Sequence, residues 1–167
     1  MTDKDYYSTQ ILTTTINLQA NKIKGDINQL ILFNLKKRYE GVCNKDGYIM
    51  KDSIELINRS IGQVKTIDSE SIVMYHITYK ADIISPAKGN KIDCVVDSSN
   101  KLGIIGYMKH TDDTTIKDSP FIIIVPEEYF KEDVFSSIEV NDTIKVQIES
   151  YRTKFLSNQI QVVAKPI

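Results

Sequence analysis

Between Ile11 and Leu18 the chain reads Ile-Leu-Thr-Thr-Thr-Ile-Asn-Leu, a β-branched and partly alternating run that predicts a strand. From Asp26 the period changes. Ile27, Leu30, Ile31, Leu35 and Tyr39 fall on one helical face, while Asn28, Gln29, Lys36 and Lys37 lie mostly elsewhere. Asp26 is placed to cap the start of this helix. Lys36, Lys37 and Arg38 fall in its last turn, where cations suit the helix dipole, and Gly41 ends it.

Short strand-like pieces follow at Val42-Cys43, Tyr48–Met50, Ser53–Ile57, Gly62–Ile67 and the longer Ile72–Ala81. Asn44-Lys45-Asp46-Gly47 has the composition of a hairpin turn, with Asp-Gly ready for positive φ, and Asn58-Arg59-Ser60 reads as a second loop. One strand, one helix and several strands predict an α+β module, a helix on an antiparallel sheet, over residues 1–82.

Ile83 to Asn90 forms a short connector in which Pro86 and Gly89 break regular structure. Residues 83–167 then read as strand and turn. Lys91–Val96 and Leu102–Met108 flank a turn-rich loop, Asp97 to Lys101, and the polar stretch His110–Ser119 leads to the apolar run Phe121–Val125. Pro126 to Phe130 predicts a short helix with proline first and acids in its first turn. Thr143–Ser150 and Gln159–Ala164 complete the set, joined by a basic loop holding Arg152 and Lys154. Five strands with a short helix between the third and fourth is the element order of an OB-fold barrel.

Composition narrows the possible functions. At 167 residues, 41% hydrophobic and 26% charged, the chain matches an ordinary globular protein of one medium domain or two small ones. Net charge is -1, and neither half departs far from neutrality: residues 1–85 hold 11 Lys/Arg against 10 Asp/Glu, and residues 86–167 hold 10 against 12. Any contact with nucleic acid must therefore come from a local patch, and should be weak and salt-sensitive. Heavy use of Ile, Lys and Asn with no Trp is the composition of an AT-rich genome, such as that of a giant virus or a protist. The polar, acidic start Met1-Thr2-Asp3-Lys4-Asp5 is unlike a signal peptide, and no apolar run is long enough to span a membrane.

Signs of catalysis are weak. There is no Walker glycine loop, no Gly-x-Ser-x-Gly elbow and no His-Glu-x-x-His. Cys43, His76, Cys94 and His110 match no metal-ligand spacing, so no metal and no cofactor are expected, and the two cysteines read as small buried apolar groups in a reducing compartment. The acid pairs Asp112-Asp113 and Glu127-Glu128 read as solvated surface. This set favours a binding module over an enzyme.

Glu40-Gly41-x-Cys43 with Gly47-Tyr48-Ile49, then Tyr79-Lys80-Ala81 with Pro86 and Gly89, form a co-linear series. Asp93-x-Val95-Val96, Asn100-Lys101-Leu102-Gly103 and Pro126 ahead of a short helix extend it. In this series the chain resembles the stalk subunit of multisubunit DNA-dependent RNA polymerases, the family of the seventh subunit of eukaryotic RNA polymerase II and its archaeal counterpart, a large-DNA-virus member included. The resemblance implies a ribonucleoprotein-like N-terminal tip domain followed by an OB-fold domain, with no active site of its own. It implies docking on the large polymerase core subunits, pairing with a small helical fourth-subunit-like partner, and contact with emerging transcript at the site of transcription, in a nucleus, a viral factory or a virion.

By position, docking falls on Glu40, Gly41, Cys43, Gly47 and Tyr48 together with the loop Asn58–Gly62, in which Asn58, Arg59 and Gly62 are singled out, and the interdomain role on Tyr79, Lys80, Pro86 and Gly89. Turn geometry alone also accounts for Gly41 and Gly47. For weak binding of single-stranded RNA the candidates are Lys101, Tyr107, Lys109, Arg152 and Lys154, one stacking ring with cations for phosphate. Solvated lysines and a sheet tyrosine are the plainer reading of the same residues. The loop His110–Ser119, acidic at Asp112, Asp113 and Asp118, departs from what RNA contact would favour. The rival reading is a free-standing OB-fold RNA-binding protein such as a translation factor, which should show a more basic barrel and no need of a docking tip.

Overall fold

A computed structural model describes residues 6–109 and 114–167. In chain order the elements are β1 (Tyr7–Gln19), α1 (Ile27–Tyr39), β2 (Cys43–Asn44), β3 (Gly47–Ile49), β4 (Glu55–Arg59), β5 (Gln63–Ile67) and β6 (Glu70–Ile84). They continue with β7 (Lys91–Asn100), β8 (Gly103–Tyr107), β9 (Phe121–Pro126), α2 (Glu132–Ser137), β10 (Thr143–Arg152) and β11 (Ile160–Pro166). The chain divides into two compact units: a mixed unit of residues 8–40 and 49–83, and a barrel unit that joins Tyr6-Tyr7 and residues 41–48 to residues 84–167.

In the mixed unit the helical periodicity translates directly into packing. Asp26 caps α1, its Oδ1 accepting from the Asn28 amide at 2.9 Å, and Gly41, at φ 73, follows the helix end in the left-handed region that glycine favours. Ile31 and Leu35 bury completely against Ile16, Leu18, Tyr75, Ile77 and Tyr79 of the strands. The Tyr39 ring stacks on Tyr79 with centroids 5.9 Å apart, and its hydroxyl hydrogen-bonds Thr14 at 2.6 Å. Long β6 is the spine of this unit. Strand β1 lies beside it, β4 pairs antiparallel with its residues 77–80, and β5 with its residues 70–74.

Several expected boundaries move. Asn58 and Arg59 are not loop residues but the end of β4, which carries a bulge between Leu56 and Asn58; the connection is only Ser60–Gly62. Ile83 and Ile84 continue β6, so the connector shortens to Ser85–Asn90, and Tyr79 and Lys80 lie inside the strand. Tyr79 is buried, while Lys80 faces Glu55 at 3.9 Å, both side chains largely exposed.

The barrel unit closes in the order β10-β11-β9-β8-β7, with β7 and β10 completing the ring. Only β9 and β11 run parallel; the other four pairs are antiparallel. Numbered along the chain, the five strands are ordered one-two-three-five-four-one, the OB-like arrangement anticipated from the element order. Ile92, Cys94, Val96, Ile104, Phe121, Ile123, Val125, Val146, Ile148, Ile160, Val162 and Ala164 fill the interior. Gly106 stays small because a Cβ there would run into the Cys94 thiol and the Val95 carbonyl.

Here too the local reading needs correction. Asp97 to Asn100 are strand, not loop: β7 bulges between Val96 and Ser98 and runs on to Asn100, leaving Lys101-Leu102 as the turn. The Asn100 side chain accepts from the Leu102 amide at 2.8 Å and so performs the turn chemistry. The helix expected at Pro126–Phe130 is a single 3-10 turn over Glu127–Tyr129, followed by α2, which no apolar periodicity announced.

Candidate functional site

The eight residues expected to dock on a partner fall in both units. Glu40 ends the mixed unit's helix and accepts from the Ile54 amide at 3.4 Å. Gly41, Cys43, Gly47 and Tyr48 belong to the barrel unit, where all four are buried. There β2 and β3 form a hairpin with Cys43 opposite Tyr48 and Asn44 opposite Gly47. The Asn44 side chain accepts from the Asp46 and Gly47 amides at 2.7 and 3.1 Å. Positive φ falls on Gly47 alone, at 138, and not on Asp46. The hairpin is then bonded to the loop between β10 and β11: the Cys43 amide donates to the Ser157 carbonyl at 2.7 Å, and the Leu156 amide donates to the Cys43 carbonyl at 2.9 Å. These four buried residues shape the unit and offer little surface.

Asn58, Arg59 and Gly62 differ. Asn58 and Arg59 line a recess of about 390 Å³ in the mixed unit, together with Asn28, Leu56, Ile57, Ser60 and Ile61. Arg59 is held on three sides. Its Nε donates to Asn28 Oδ1 at 2.6 Å, its Nη1 to the Ser60 carbonyl at 3.4 Å, and its Cζ lies 5.6 Å from the centroid of the buried Tyr75 ring. Gly62 lies under this corner, where a Cβ would meet Val73 Cγ1 at 2.5 Å and the Tyr75 ring at 3.0 Å. Sequence reasoning named the loop that holds Ile61 but singled out neither Ile61 nor Ile57 on the recess rim, because exposed isoleucines have the same local signature as buried ones.

Of the interdomain set, Pro86 is buried and Gly89, at φ 93, donates its amide to the Ile148 carbonyl at 2.8 Å, both within the barrel unit. Tyr79 and Lys80 belong to the mixed unit.

The five RNA candidates all lie in the barrel unit, but at two ends of it. Tyr107 pairs with Ile122, Ile122 with Gln161, and Gln161 with Arg152, so one row crosses β8, β9, β11 and β10. Adjacent strands are about 4.8 Å apart, which sets Tyr107 and Arg152 roughly 14 Å from each other on the barrel's outer face. Lys109 follows β8 and Lys154 follows β10, which brings four candidates to this end. Lys101 sits in the β7–β8 turn, at the opposite end of β8. The next outward row is Ile105, Ile124, Val163 and Ser150, so Tyr107 looks onto an aliphatic surface rather than a second ring. Tyr151 and Phe155, 47% and 68% exposed, flank Arg152 and Lys154 and were not singled out; the interleaving of aromatic and basic residues in Tyr151-Arg152-Thr153-Lys154-Phe155 is the signal that could have found them.

Reactive chemistry is subdued. Burial pushes the Cys43 thiol up to about 11 and the Cys94 thiol up to about 12, which keeps both neutral at ordinary pH. Tyr48 is also raised, first by burial and then by Cys43 and Asp118. His76 is exposed, with Nδ1 3.5 Å from Thr15 Oγ1. No group of three or more His, Cys, Asp or Glu residues able to hold a metal occurs among the described residues. His110, Asp112 and Asp113 lie outside those residues. No helix among them is long and apolar enough to cross a membrane.

No protein-family model matches the chain. Among curated proteins it is similar to one from Acanthamoeba polyphaga mimivirus described as "Putative DNA-directed RNA polymerase subunit L376". The two are 22% identical over 173 aligned positions, covering 96% of this chain and 81% of the relative.

Proposed function

We propose that this chain is a non-catalytic subunit of a DNA-dependent RNA polymerase, of the stalk type, acting where its genome is transcribed. The observation that carries the reading is the similarity to a viral protein described as a polymerase subunit, which runs over 96% of the chain rather than over one motif. The closed five-stranded barrel following an α+β unit agrees with the architecture that the stalk resemblance implies. In this reading the N-terminal half is the ribonucleoprotein-like tip that docks on the large subunits, and the barrel meets emerging transcript.

Transcript contact would use the end of the barrel bearing Tyr107, Lys109, Arg152 and Lys154. With few cations on a chain of net charge -1, binding by the isolated chain should be weak and salt-sensitive. The test is co-expression of the tagged full chain with the large polymerase subunits of the same genome. Stoichiometric co-purification through a high-salt wash supports the assignment. A chain that purifies alone and binds single-stranded RNA tightly would instead be a free-standing RNA-binding protein.

A further inference from the structure

The Arg59 recess has the features of a preorganised protein-docking site. Ser60 is tied to β6 twice: its amide donates to the His76 carbonyl and its Oγ accepts from the His76 amide, both at 2.9 Å. Gly62 is wedged against Val73 and Tyr75. Ile61, between these two fixed residues, is 88% exposed, and Ile57 on the other rim is 51% exposed. A backbone fixed on both sides of Ile61 has little further conformational entropy to lose on binding.

Charge defines what should enter. Among the described residues, Arg59 is the only charged one lining the recess. The ion pairs among the described residues are Lys80–Glu55 and Lys165–Glu149, so Arg59 has none. With Nε and Nη1 already donating and one face over Tyr75, its Nη2 edge is left for an anion, and a planar guanidinium fits a carboxylate especially well.

We propose that this recess docks a protein segment that presents a carboxylate side chain to Arg59 and an apolar surface to Ile57 and Ile61. Resting on the polymerase reading above, the segment belongs to a large polymerase subunit. A protein is favoured over a nucleic acid because the exposed side chains on the rim, Ile57 and Ile61, are aliphatic, while the polar groups beside the cation, Asn28 and Ser60, are already bonded to it. The ring nearest it, Tyr75, is buried beneath the guanidinium and cannot stack with a base.

The experiment uses the full chain, tagged and co-expressed with the large subunits of the same genome, as wild type, Arg59→Glu, Arg59→Lys and Ile61→Asp. Circular dichroism and melting confirm the fold of each variant. Recovery of the large subunits should fall at least tenfold for Ile61→Asp and Arg59→Glu, and less for Arg59→Lys, which keeps the charge but loses the fork. Cross-linking from position 61 then names the opposing carboxylate, and its reversal to Arg should restore Arg59→Glu. If the folded variants recover the large subunits as wild type does, this proposal falls and the polymerase reading stands. If wild type recovers nothing, both fall. If Arg59→Glu instead weakens binding of the free chain to a labelled oligouridine while recovery is unchanged, the recess serves nucleic acid and the proposal is overturned.

Discussion

Ser119 is a small residue on which the closing of one barrel end depends, and replacing it by Ala should be costly. It is completely buried between the end of β8 and the start of β9. Its Oγ accepts from the Met108 amide at 3.1 Å and the Phe121 amide at 3.2 Å, and donates to the Met108 carbonyl at 2.7 Å. Ser119→Ala removes the acceptor from two buried amides at once. Each orphaned donor costs about 1–3 kcal/mol, so a loss of about 2–6 kcal/mol is expected. At about 5 °C per kcal/mol for a unit of this size, that is a drop of roughly 10–30 °C in melting temperature. Ser119→Cys, close in volume but a weaker acceptor, should fall between wild type and Ala. Urea denaturation followed by far-ultraviolet circular dichroism, with slopes compared among the three proteins, measures the difference. A loss for Ser119→Ala below about 0.5 kcal/mol would show that the clasp does not hold these strands.

Two further outcomes follow from the barrel unit. Because Cys43 and Cys94 hold their protons up to about 11 and 12 in the folded state, against 9.0 for a free thiol, the folded state binds more protons than the unfolded chain above pH 9. The two thiols therefore make stability decline as pH rises above about 9 and contribute no such slope below it; a thiol reagent at pH 8 should label neither cysteine until denaturant is added, and rapid native labelling of either would contradict its burial. On the proposed transcript contact, Arg152→Glu with Lys154→Glu should weaken oligouridine binding and flatten its dependence on salt, as removal of phosphate contacts does; titration at two ionic strengths checks this, and an unchanged slope would move the RNA elsewhere.

Periodicity exposed the parts of this fold that depend on it. The helix at Ile27–Tyr39, its Asp26 cap and the succession of barrel strands along the chain were legible, because each is a local consequence of spacing or capping chemistry. Asn58 and Arg59 were misread because a bulge breaks alternation and a polar dipeptide resembles a loop. Asp97 to Asn100 failed for the same reason, strand pairing overriding turn-like composition. Helix α2, with little apolar stripe, gave no signal. Of the candidate surfaces, Arg59 and Arg152 were named from sequence. Ile61 fell inside the docking loop Asn58–Gly62 but was not singled out, since its exposure depends on Ser60 and Gly62 being fixed by residues that come later in the chain.

The hairpin at residues 41–48 constrains the order in which the molecule can be assembled. Helix α1 and the strands around it find their partners within the first half of the chain and can form as they leave the ribosome. Cys43 cannot. Its amide and carbonyl are satisfied only by Ser157 and Leu156, which are synthesised near the end. Until then the hairpin edge is an unpaired strand, a segment with the physical character that invites wrong association. Long-range closure of this kind is also the slow step in many β-rich proteins. Cutting the protein at residue 82 to study each half would consequently leave the first fragment with an open edge and the second with an uncovered loop.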